Sequence, residues 1–101
     1  MTFRKIQGKY AVESNEGIII DRIGSPLTQF TMRYHEGGKI AEHPLENLVA
    51  EAAIPISPSI IEGWKSPYDS EALSHEKRVE IAKCISAAMN FLGDKSYVAD
   101  E

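Results

Sequence analysis

A chain of 101 residues with 43% hydrophobic and 26% charged side chains can build one modest core and is too apolar for disorder over most of its length. Its net charge of −4 argues against a phosphate-binding surface, which needs clustered Lys and Arg. The single cysteine, Cys84, excludes an internal disulfide, and no apolar run approaches bilayer length.

Met1–Gln7 place no apolar stretch behind Arg4 and Lys5, so no secretory leader is expected and the chain reads as cytoplasmic. With no repeat, linker or low-complexity tract, residues 1–101 read as one domain. In Lys9–Glu13, Tyr10 and Val12 share one face of a strand, and Ser14-Asn15-Glu16-Gly17 is turn chemistry. Gly17–Asp21 is β-branched and apolar, which fits a strand covered on at least one face. From Leu27 to Tyr34 the pattern alternates. Phe30, Met32 and Tyr34 point one way, and Gln29, Thr31 and Arg33 the other.

Tyr34-His35-Glu36-Gly37-Gly38-Lys39 is read as a hairpin rather than a metal or catalytic site, because two glycines supply the positive φ of a tight turn. A helical zinc motif wants a second histidine at position 39, which is a lysine. Glu36, near the loop tip, is expected to be exposed. Residues 44–53 are ambiguous between a helix and another strand; Pro44 in the first position, Glu46 in the first turn and Leu45, Leu48, Val49 and Ala52 at helical spacing favour a short helix or helical turn. Ile54–Ser59 hold two prolines, which fit extended chain or an edge strand. Ser59–Asp69 form an irregular segment in which Trp64, the only tryptophan, is expected to be a core anchor against the C-terminal helix.

The last helix is the clearest element, with Ser74 as N-cap, Glu76 in the first turn and Gly93 as the stop. Ile81, Ala82, Ile85, Ala88, Met89 and Leu92 fall on one stripe, with Cys84 and Phe91 at its margin. The expected fold is therefore α+β: a twisted antiparallel sheet with strands mainly in residues 3–43, covered by one long C-terminal helix over about residues 75–92.

Catalytic signals are thin. There is no phosphate-binding glycine loop, nucleophile elbow or paired-cysteine motif, and His35, His43 and His75 are scattered. An enzyme would need His35 or His43 as base and Cys84 as nucleophile, converging within hydrogen-bond reach. The expectation is no enzyme, no metal, no cofactor, no nucleic acid and no membrane. The distribution of charge is more informative than its total. Residues 1–35 carry a net +2, residues 36–71 a net −5 and residues 72–101 a net −1, so the middle of the chain can attract a basic partner.

The succession of YHEGGK after a strand, Pro44 and Glu46, SIIEGWKSP, Ser74-His75-Glu76-Lys77 and the final IAKCISAAMNFLG spans roughly residues 17–93. It resembles the small immunity proteins of bacterial contact-dependent growth inhibition and related polymorphic toxin systems. The resemblance implies a non-catalytic cytoplasmic antitoxin that binds a delivered toxin domain, in many systems a nuclease with a basic cleft. Charge and expected exposure, rather than any family site, nominate Glu36, Glu42, Glu46, Glu51, Asp69 and Glu71 as the partner-binding surface, with Tyr68 as an aromatic anchor. The competing readings are a protein-binding adaptor or regulatory domain and a small-molecule enzyme.

Overall fold

A computed structural model describes residues 1–24, 29–46 and 53–99. Five strands form an antiparallel meander in chain order: β1 (Phe3–Lys5), β2 (Ala11–Ser14), β3 (Ile19–Gly24), β4 (Gln29–Glu36) and β5 (Lys39–Glu46). A parallel pair, β6 (Ile54–Ile56) and β7 (Ser96–Val98), lies outside that sheet, and helix α1 (His75–Phe91) runs between them in sequence. The expected α+β architecture, a twisted sheet with a helical cover, is present.

The strands form where the alternation places them. Phe30, Met32 and Tyr34 are buried beneath α1, while Gln29, Thr31 and Arg33 face the other way. At the β2–β3 turn the Ser14 hydroxyl accepts the amides of Glu16 and Ile18, both at 3.1 Å, and Gly17 takes φ +83°. The β4–β5 hairpin closes on Glu36 opposite Lys39, with Gly37 and Gly38 at φ +57° and +83°, the primed turn that matches strand twist.

Residues 44–46 depart from the expected helix. Pro44, Leu45 and Glu46 complete β5, opposite Thr31, Phe30 and Gln29. The alternating burial of Ala41, His43 and Leu45 continues the pleat through them, so tertiary pairing overrides the helical spacing. Pro44 is tolerated because β5 is an edge of the five-stranded sheet. Residues 47–52 of that expected helix, including Leu48, Val49, Glu51 and Ala52, lie outside the described residues, and Ala53 is a bend.

The Ser74 side chain caps α1 by accepting the Lys77 amide at 3.1 Å, and Gly93 ends the helix at φ +101°. Ile81, Ala82, Ile85, Ala88 and Met89 are fully buried; Leu92 is half-buried, and Phe91 is 53% exposed beside Phe3. Ser74→Ala should cost about 1 kcal/mol, read as a lower urea midpoint at unchanged slope.

A second layer of polar ties holds β7 to the helix. Asn90 donates to the carbonyls of Ser86 (2.9 Å) and Ser96 (3.0 Å) and accepts the Ser96 amide at 3.0 Å. The Tyr10 hydroxyl donates to Asp94 just past the helix end. Together these fix the tail against the core, with Ile54 and Ile56 of β6 buried between.

Candidate partner-binding surface

The segment after β6 turns through a 3-10 turn at Pro58–Ile60 and then lies along the free edge of β5. Trp64 bridges to Ala41, and the Lys65 amide donates to the Ile40 carbonyl at 2.8 Å. Trp64 is buried, as its role of anchor requires, with its ring 6.2 Å from that of Tyr34. Arg78 of α1 holds the same segment by donating to the carbonyls of Ile61 (2.7 Å) and Glu62 (3.0 Å). The stretch is irregular in backbone and rigid in attachment.

Between this segment and β5 opens a cleft of about 550 Å3, lined by Glu42 and Pro44 on one side and by Ile60, Glu62, Trp64 and Asp69 on the other. Three carboxylates meet there against one ammonium, that of Lys65, which stands 3.3 Å from Glu42. Glu62 and Asp69 are exposed and make no ion pair among the described residues, and Ile60 is 42% exposed at the rim. The cleft offers an acidic wall and an apolar step, the complement of a basic side chain with an aliphatic stem.

The nominated acidic residues divide into separate places. Glu42 and Asp69 share the cleft. Glu36 is the last residue of β4 and is not free at a loop tip. It accepts from Lys77 (2.8 Å) and from the Tyr34 hydroxyl, and these bonds hold its carboxyl below the usual range. Glu71 pairs with Lys39 at 2.6 Å, away from the cleft. Tyr68 is half-buried, with the Lys39 ammonium 5.5 Å from its ring centroid. Glu46 ends β5, and Glu51 lies outside the described residues. Glu62 was not nominated. Its place is decided by the crossing of residues 60–65 over β5, which local pattern does not reveal.

The open face of the sheet carries a charge ladder. Arg33 donates to both oxygens of Asp21 (2.9 and 2.6 Å), His35 approaches the same carboxylate at 3.0 Å, and Glu42 stands opposite Arg33 in the register. Burial works against the Asp21 charge, but the bonds from Arg33 and His35 outweigh it and hold the carboxyl below its usual range. The histidines and the cysteine do not converge. His35 is engaged by Asp21, His43 is buried with its Nε2 accepting the Ser57 amide at 2.9 Å, and the Cys84 thiol donates to the Met1 sulfur at 3.4 Å. Burial, reinforced by Glu80, Glu16 and Glu36, pushes the Cys84 thiol up to about 11, away from the thiolate a nucleophile needs.

Among the described residues no three His, Cys, Asp or Glu side chains are grouped to share a metal ion, and no helix is long and apolar enough to cross a membrane. No family model matches the chain, and no curated protein or solved structure is significantly similar to it.

Proposed function

We propose that this protein is a bacterial immunity protein that binds a toxin domain, a nuclease with a basic cleft, and neutralises it by occupying that cleft without catalysis in the cytoplasm. The observation that carries the reading is the acidic cleft beside β5, where Glu62 and Asp69 make no ion pair among the described residues and stand around an exposed isoleucine. Charge complementarity of this kind speeds encounter and selects the partner, while an apolar step at the rim adds contact area. The family resemblance of the sequence gives the partner its identity as a toxin.

The test is co-purification of the tagged protein from the cells that encode it, at low and then high salt, with mass spectrometry of what is retained. A basic toxin fragment at near-stoichiometric amount supports the reading. A different protein moves the case to an adaptor. With the partner in hand, the double variant Glu62→Lys, Asp69→Lys is expected to weaken binding by at least about tenfold, about 1.4 kcal/mol, and to flatten its salt dependence. Both side chains are exposed, so the melting temperature should stay nearly constant. Full affinity in that variant would refute the role of the cleft.

A further inference from the structure

A second groove, of about 620 Å3, lies on the other side of the β4–β5 hairpin, between the strand ends and the outer face of α1. Its floor is apolar: Met1, whose sulfur meets the Cys84 thiol at 3.4 Å, with Ile18 and Tyr34 from the sheet side and Val79, Cys84 and Ala87 from the helix. It follows α1 from Glu76 to Ala87, about three turns or about 16 Å of helix. Four acids line the banks together with two lysines, Lys77 and Lys83, a net of −2 for these side chains. Glu16 projects from the β2–β3 turn, Glu36 from the end of β4, and Glu76 and Glu80 from the helix.

Two of these four are already answered. Lys77 lies between Glu36 and Glu80, 2.8 Å from each. Glu16 and Glu76 are exposed and make no ion pair among the described residues. Burial is the main cause that disfavours ionisation of Cys84 in the floor, with Glu80, Glu16 and Glu36 adding to it and Lys77 opposing.

We propose that this groove is a docking site for a basic amphipathic helix of a partner protein. The apolar stripe of such a helix would lie on Ile18, Val79 and Ala87, and its flanking Lys or Arg residues would meet Glu16 on one bank and Glu76 on the other. Charge selects this occupant over the alternatives. A rim with a net charge of −2 disfavours anionic lipid headgroups, and an isologous second copy would set one net-negative rim against another. The site is separate from the cleft beside β5 and stands whatever that cleft binds.

The test uses a synthetic amphipathic peptide of about 14 residues, built of Leu and Lys at helical spacing, titrated into the isotope-labelled protein and followed by amide shifts. The expected result is saturable perturbation centred on Ile18, Val79 and Ala87. Binding should weaken at least tenfold (about 1.4 kcal/mol) in Glu16→Lys, Glu76→Lys and be lost in Ala87→Arg, which fills the groove from an exposed helix position. Glu13→Lys, a charge reversal on β2 outside both grooves, should leave the affinity unchanged. Absence of binding, shifts centred on residues 62–69, equal binding of a Leu and Glu peptide, or indifference to both groove variants would each overturn the proposal. Correct folding of the variants is read from the unperturbed amides of the same spectra.

Discussion

Replacing His43 by methionine is expected to lower the unfolding free energy near neutral pH by about 1–3 kcal/mol and to remove a loss of stability that the parent protein shows on mild acidification. His43 is fully buried between Ala41 and Leu45, opposite Met32. Its Nε2 accepts the Ser57 amide, so the proton of the neutral ring sits on Nδ1, which has no partner among the described residues. Burial is the main force on its titration and drives its pKa below the ordinary 6.5, with nearby backbone groups opposing.

The folded state therefore holds the ring neutral at pH values where the unfolded chain protonates it. The unfolded state binds more protons, so stability rises with pH. The contribution is complete above about pH 6.5, where both states are neutral. It declines as pH falls from there through the lower folded value, with a slope of at most about 1.4 kcal/mol per pH unit for one proton. Methionine keeps similar volume but strands the Ser57 amide, which sets the neutral-pH cost. Urea titrations between about pH 8 and pH 5 check both parts. A parent midpoint independent of pH across that window would sink the argument. Asp21 and Glu36 titrate below their ordinary values of 3.8 and 4.5, so their acid losses come in a lower window and persist in the variant.

Gly24→Ala should be comparably severe, about 2–5 kcal/mol. Gly24 closes β3 at φ +93°, and a Cβ there would meet the Gln29 carbonyl oxygen at 2.6 Å and the Phe30 Cα at 3.0 Å. Those atoms belong to the partner strand's backbone and cannot rotate aside, so overpacking of about 1–3 kcal/mol adds to the unfavourable dihedral of about 1–2 kcal/mol. Gly38→Ala is the internal control. It shares a positive φ but meets nothing within 4 Å, so only the dihedral cost applies. Thermal unfolding of the two variants side by side should separate them clearly; equal losses would mean that the close approach at Gly24 is relieved at no cost.

Elements governed by local periodicity were legible in the sequence. The Phe30-Met32-Tyr34 alternation, the Gly37-Gly38 turn and the Ser74-to-Gly93 helix each follow from neighbours a few residues apart. Where long-range pairing decides, the pattern misleads or is silent. Pro44-Leu45-Glu46 carry helical spacing but are drafted into β5 by β4. Nothing around Ser96 announces a strand, because β7 exists only through β6 and the Asn90 ties. The acidic middle of the chain was visible as composition. Which acids remain unpaired was not, since Lys39 and Lys77 reach Glu71 and Glu36 from distant positions.

The parallel pairing of β6 with β7 has a consequence for the order in which the chain is made. The β1–β5 meander joins sequence neighbours and can assemble as it leaves the ribosome. β6 must wait until α1 and then Ser96–Val98 have been synthesised. During that interval Ile54 and Ile56 lack their final cover, and the segment that seals the edge of β5 has no Arg78 to hold it. A nascent chain stalled inside α1 would thus display an open strand edge beside uncovered isoleucines, a natural point of capture for chaperones or for another such chain.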